Sequence, residues 1–175
     1  LAGVGPRMIE VAGEVADGLL VHPFNTARFV ASDVLPALDR GLANAGRTRA
    51  DCDVSAQFIV ATGLDREERE RNLALARGQV AFYASTPAYK PVLDCHGWGD
   101  LQPRLNALSK EGKWAEMSAL LSDELVDEVV IHGSPEEVGE RLRARAGDWC
   151  GRASPVIYAG DLEVRERLGR AIKRG

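Results

Sequence analysis

Ala2-Gly3-Val4-Gly5-Pro6-Arg7-Met8, followed one helix later by Leu19-Leu20-Val21-His22-Pro23-Phe24, is the stretch on which the fold turns. Two glycines give a tight turn after a short apolar start, and Pro6 suits the first position of a helix, where its missing N–H leaves nothing unpaired. Met8, Ile9, Ala12, Val15 and Ala16 recur at three- and four-residue steps, which predicts one apolar stripe against a core with Glu10, Glu14 and Asp17 toward water. Asp17-Gly18 ends that helix. Leu19 to Phe24 is apolar and β-prone, and it stops at a proline that cannot donate to a central ladder. Strand end, glycine turn, helix and buried strand together make a βαβ unit.

Outward from this unit the alternation continues. Val30, Val34, Leu38 and Leu42 lie at four-residue spacing up to Gly46, with Pro36 expected to kink that helix or to mark its true start. Val54 to Ala61 reads as a second buried strand, and Asp65-x-x-Glu68 opens a helix with Leu73, Ala76, Val80, Tyr83 and Ala84 inward, broken at Ser85-Thr86-Pro87. From Ala88 to Gly133 follows a mostly helical excursion with no clear strand, in which Leu125 to Ile131 stays open between helix and strand. Ser134-Pro135-Glu136-Glu137 is a capping box with proline at the first helical position. Pro155 to Ala159 reads as a third strand, and Val164, Leu168 and Ile172 as the last helix. Strands alternating with helices predict an α/β fold of about three parallel strands with flanking helices.

Composition bounds what such a chain does. The 175 residues are 45% hydrophobic and 27% charged, enough apolar surface for one packed domain. Lys and Arg number 22 against 26 Asp and Glu, a net charge of −4, which is the wrong sign for a nucleic-acid surface. No apolar run approaches the roughly 20 residues that span a bilayer, so a membrane is not expected and a cytoplasmic location is. Cys52, Cys95 and Cys150 are odd in number and far apart, supporting neither a disulfide framework nor a metal knuckle. The chain opens on Leu1-Ala2-Gly3 without Met, and the expectation is that it starts mid-domain.

Three places carry candidate chemistry. The glycine turn lets a backbone approach a ligand, and the helix behind it offers free N–H groups to a phosphate, with Arg7 able to add a charge-assisted contact. His22 stands at the C-terminal end of its strand, where parallel α/β folds hold their ligands, with Asn25 and Thr26 able to add polar contacts or to cap the next helix. Tyr89, Lys90, His96 and Trp98 cluster in the excursion as candidate substrate walls. His132 is expected to meet backbone at a helix end.

In order, Ala2-Gly3-Val4-Gly5-Pro6-Arg7-Met8 and Ala12-Gly13-Glu14-Val15-Ala16-Asp17-Gly18 running into Leu20-Val21-His22-Pro23-Phe24 resemble the C-terminal half of luciferase-like monooxygenases. Leu35-Pro36-Ala37-Leu38, Ala45-Gly46-Arg47, Thr86-Pro87-Ala88-Tyr89, His96-Gly97-Trp98 and Gly133-Ser134-Pro135-Glu136-Glu137-Val138 look like the deazaflavin-dependent branch similar to methylene-tetrahydromethanopterin reductase. The resemblance implies the C-terminal part of an (α/β)8 TIM barrel, a single partial-barrel domain over 1–175 with 88–133 as a helical insertion. It implies coenzyme F-420, or FMN as the alternative, with its phosphate at Gly3, Val4, Gly5, Pro6, Arg7 and Met8. It also implies His22 toward the ring or a small-molecule substrate, and hydride transfer or monooxygenation as the reaction. A whole barrel takes about 250 residues. The first four strands and most of the fifth have no counterpart here, so exposed sheet edges, an exposed apolar face and homo-oligomers are expected. The other reading is a catalytically silent half-barrel acting through self-association or partner binding.

Overall fold

In the computed structural model, which describes residues 1–173, the opening is strand β1 (Ala2–Gly3), helix α1 (Pro6–Val15) and strand β2 (Gly18–Val21). The buried stripe of α1 is Ile9, Ala12 and Gly13; Met8 and Val15, expected inward, are 47% and 70% exposed, and Val11 joins them outside. The reason is a backbone approach. A Cβ on Gly13 would lie 2.6 Å from the Leu38 carbonyl oxygen, and one on Gly41 only 2.0 Å from that of Glu10, so the glycine face of α1 turns inward and its bulkier shoulder outward.

After β2 come a short helix α2 (Ala27–Phe29), a π turn over Val30–Val34 and helix α3 (Leu35–Asn44). Val30, Val34, Leu38 and Leu42 are all buried along this joined helix. Pro36 occupies the second position of α3, and the wider turn before it absorbs the amide that proline cannot offer. Strand β3 (Asp53–Thr62) and helix α4 (Arg66–Ser85) follow, the helix capped by Asp65, whose Oδ1 accepts the Glu68 amide at 2.8 Å.

The excursion holds α5 (Lys90–Asp94), α6 (Leu101–Lys110), α7 (Trp114–Ala119) and α8 (Asp123–Val129), and then a strand, β4 (Val130–Gly133). Leu125 to Ile131 is thus both helix and strand. Its apolar residues serve first the inner face of α8 and then a buried strand, and no turn residue separates the two. The sheet of the described residues accordingly has five strands: the three complete ones expected, the strand end expected at Ala2-Gly3, and β4 within the span 88–133 expected as a helical insertion. Helix α9 (Pro135–Ala146), strand β5 (Arg152–Ile157) and helix α10 (Leu162–Lys173) complete the chain; the last two residues of the domain expected over 1–175 lie outside the described residues.

All strands are parallel. β3 carries the sheet: it pairs with β2 over Asp53–Ala56, with β5 over Ser55–Val60 and with β4 over Ile59–Thr62. Because β5 shares Ser55 and Ala56 with β2, and Ile59 and Val60 with β4, β2 and β4 take one edge of β3 in succession and β5 takes the other. One sheet face, with Leu19, Val21, Val54, Ala56 and Phe58, is buried under helices. On the other face Leu20 is 41% exposed, Ser55 and Gln57 are half-buried, and Arg152 and Ser154 are exposed. The uncovered face is therefore more polar than the apolar one expected.

Candidate functional site

Parallel strands bring their C-terminal ends to one side, and there β1 delivers the glycine turn and β2 delivers His22. Gly5 is the N-cap of α1 with extended backbone, and no side chain caps it. A Cβ at Gly5 would meet nothing within 4 Å, whereas one at Gly3 would press on Ile9 at 3.2 Å. Gly3 is thus closely packed against α1, and Gly5 leaves space above a helix start with no acidic residue in its first turn. Arg7 is exposed and makes no ion pair among the described residues, and Met8 points outward.

His22 is fixed by its neighbours. Its Nδ1 accepts the Phe24 amide at 3.1 Å, which places the proton on Nε2, and Nε2 donates to Tyr89 Oη at 3.1 Å. Tyr89 stacks on the imidazole with ring centres 4.5 Å apart, and Tyr83 meets it edge-on at 4.9 Å. Burial holds the imidazole below its ordinary value and pushes the Tyr89 phenol up, so both are neutral near pH 7. Tyr158, just past β5, is pushed up by burial and by a hydrogen bond with Tyr83. Tyr83 and Tyr89 thus flank His22, and Tyr158 meets Tyr83 behind them.

A cavity of about 280 Å³ joins Gly3 and Val4 of the turn to His22, Gln57 and Tyr89. Val21 pairs with Ala56, so the next residues, His22 and Gln57, stand side by side along it. Gly5, Pro6, Arg7 and Met8 do not line it. Two cavities of about 620 Å³ each lie elsewhere, one against Asp39, Arg49 and Trp149, the other beside His132, Arg141 and Arg145.

The polar residues after His22 are structural. Asn25, buried, donates to the His22 carbonyl at 2.7 Å and to that of Gln57 at 3.1 Å, bridging the point where β2 leaves β3 and β4 has not begun. Thr26 caps α2 by accepting the Phe29 amide at 3.1 Å, and its hydroxyl meets His96 Nε2 at 2.8 Å. The excursion cluster divides: Tyr89 goes to His22, His96 stacks on Trp98 beside Thr26, and Lys90 pairs with Asp94. His132, expected to meet backbone, pairs with the Asp127 carboxylate at 2.9 Å, because α8 ends immediately before β4 and sets Asp127 beside it. Among the described residues no three His, Cys, Asp or Glu side chains converge as a metal site, and no helix is long and apolar enough to cross a membrane. From the sequence Tyr83 reads as core, and nothing there singles out Tyr158; the one signal for Gln57 is a long polar side chain inside a mostly apolar strand.

The sequence profile of luciferase-like monooxygenases matches residues 1–149. The chain belongs to that family. A relative from Mycobacterium tuberculosis, itself uncharacterised, is 43% identical over 163 residues, 93% of this chain and 48% of the relative. The 5,10-methylenetetrahydromethanopterin reductase of Archaeoglobus fulgidus is 33% identical over 145 residues, 79% of this chain and 41% of its own length. In structure the chain resembles the coenzyme F-420-dependent tetrahydromethanopterin reductase of Methanopyrus kandleri, with a TM-score of 0.76 at 21% identity over 97% of this chain and 48% of that one. It also resembles an F-420-dependent secondary alcohol dehydrogenase, with a TM-score of 0.64 at 13% identity over 95% and 47%. The fold is α/β, a parallel sheet with flanking helices, as in part of an (α/β)8 barrel. This luciferase-like chain spans about half the length of the curated relatives it matches.

Proposed function

We propose that this chain supplies the cofactor-phosphate turn and one wall of the substrate pocket of an oxidoreductase that uses coenzyme F-420 to move a hydride to or from a small organic molecule. The observation that carries this reading is the single cavity that joins the glycine turn to His22 and Tyr89. The relatives named for reduction of methylenetetrahydromethanopterin and the structural neighbours named for F-420 support the choice of cofactor over FMN.

The residues present fit such a group. Gly5 leaves open space where a side chain would block a phosphate, the first turn of α1 carries no acid, and its amides are free of a side-chain cap. Gly3, Val4, Gly5, Pro6, Arg7 and Met8 would hold the phosphate end, with Arg7 free to swing toward it. Bound there, the deazaflavin supplies hydride transfer, which no side chain can perform. The protein's own part is orientation and exclusion of water. Both His22 nitrogens are engaged, so His22 acts by holding Tyr89, and Tyr89 presents its hydroxyl to the cavity.

Titrating coenzyme F-420 and, separately, FMN into the purified chain tests this, with ligand fluorescence as the readout and Gly5→Asp as the control. Binding of F-420 lost in Gly5→Asp is the expected result. A folded chain that binds neither ligand overturns the reading.

One observation favours self-association as a second role. Met8, Val11 and Val15 form an exposed apolar stripe along α1. Sedimentation velocity decides: homo-oligomers dispersed by Val15→Glu support the role, and a monomer at every concentration removes it.

A further inference from the structure

β4 pairs with β3 alone, and two arginines of α9 take up carbonyls at and just before it. Arg141 Nη1 donates to the His132 carbonyl at 3.0 Å, and Arg145 Nη1 donates to those of Glu128 at 2.8 Å and Val129 at 3.4 Å. One nitrogen of each guanidinium is thereby used. Nε and Nη2 of both make no hydrogen bond, and neither arginine has an ion pair, among the described residues. Arg145 is half-buried; burial disfavours its charge, which Glu128 offsets in part from beyond ion-pair distance. Both arginines line a cavity of about 620 Å³, whose one acid, Asp127, is held by His132 at 2.9 Å. Ala27, Val130, Ile131 and Ala144 make the rest of its wall apolar. Unmatched guanidinium nitrogens beside an apolar wall suit an anion that carries an apolar body.

We propose that Arg141 and Arg145 form a second binding site, for a carboxylate with an apolar body. The planar fork of a guanidinium matches the two oxygens of a carboxylate. Charge decides between carboxylate and phosphate. Two guanidinia against one carboxylate, Asp127, leave a single positive charge, which a bound carboxylate cancels and a phosphate dianion exceeds. This site goes beyond the F-420 reading and does not rest on it, since it shares no residue with the cavity that joins the glycine turn to His22.

The probe is 4-fluorobenzoate, titrated into the purified chain and followed by fluorine NMR, with its uncharged isostere 4-fluorobenzamide and inorganic phosphate run beside it. The benzoate should bind about tenfold or more tightly than the benzamide. Arg141→Met keeps an apolar stem, removes the charge at an exposed position and should weaken benzoate about tenfold. Arg145→Lys keeps a charge without the fork and should weaken it about fivefold. Circular dichroism and urea midpoints establish which variants fold; Arg145 also holds the turn between α8 and β4, so the exposed Arg141 carries the test by itself if Arg145→Lys does not fold. Gln57→Leu, in the other cavity, should leave benzoate binding unchanged. Benzoate bound no better than benzamide, or with the same affinity in every folded arginine variant, overturns the inference. So does a loss in Gln57→Leu alone, which would place the probe beside His22. Binding of inorganic phosphate without binding of benzoate overturns the carboxylate assignment.

Discussion

Thr26 and His96 meet through Thr26 Oγ1 and His96 Nε2 at 2.8 Å, while the same hydroxyl oxygen accepts the Phe29 amide that starts α2. One buried side chain thus caps a helix and ties the loop after His22 to the helical excursion.

Thr26→Ala removes both contacts at a fully buried position, and a lost cap alone costs about 1 kcal/mol. Leaving His96 without its partner adds to this, so a total of about 2 kcal/mol is expected in urea unfolding. Thr26→Ser keeps the oxygen and should retain most of the stability; equal losses in both variants would show that the methyl group, and not the hydroxyl, matters.

The histidines set a pH dependence. Burial lowers the pKa of both His22 and His96 from the ordinary 6.5. The unfolded chain therefore binds protons at these sites at a pH where the folded chain does not, and stability must fall as pH drops below 6.5 toward the folded values. Above 6.5 these two groups contribute no slope. Urea midpoints measured between pH 8 and pH 5 should be flat and then decline, and His22→Asn should shallow the decline; an unchanged slope in that variant would exclude His22 as its source.

Glycines that look alike in the sequence separate in their consequences. Gly41→Ala drives a methyl group into the Glu10 carbonyl at 2.0 Å, backbone that cannot yield without moving α1 off α3, and should destabilise by about 3 kcal/mol or more. Gly5→Ala, with extended backbone and open space, should leave the thermal midpoint nearly unchanged and weaken F-420 binding instead. Thermal unfolding of the two variants side by side reads this difference.

Arg47 closes the C-terminus of α1 with its guanidinium, donating to the carbonyls of Gly13 and Ala16 at 2.8 Å each and to that of Asp51 at 2.7 Å. Arg47→Met loses three charge-assisted bonds and should cost about 2–3 kcal/mol in denaturant unfolding. Arg47→Lys, a point charge without the planar fork, should recover only part of it.

What could be read from the chain alone was local. Pro6, Asp65 and Ser134 each announce a helix start through chemistry confined to a few residues, and each is where it was read. The apolar run Val54 to Ala61 is a strand for the same reason. Tertiary contacts decided the rest. Met8 and Val15 fit the apolar period of α1 as well as Ile9 does, and only the Gly13–Gly41 approach turns them outward. Val130 to Gly133 becomes a strand because β3 has an unfilled edge beyond Ala56, a vacancy no short window can reveal. At the candidate site His22 stood out by its place at a strand end, and Tyr89 by its place in a loop cluster. Their hydrogen bond spans 67 residues, and Gln57 joins them only through strand register.

β3 pairs with three strands and alternates its side chains between a packed interior and the cavity, Phe58 facing one and Gln57 the other. Adding or deleting a single residue within Asp53–Thr62 would reverse that alternation for everything beyond the change and misplace β2, β4 or β5. The helical excursion, joined to the sheet at its two ends, can lengthen or shorten without such a penalty. Length variation among descendants of this chain should therefore accumulate between Gly99 and Ser122, past Tyr89 and His96 with their ties to His22 and Thr26, while these ten residues keep their number even where their identities drift.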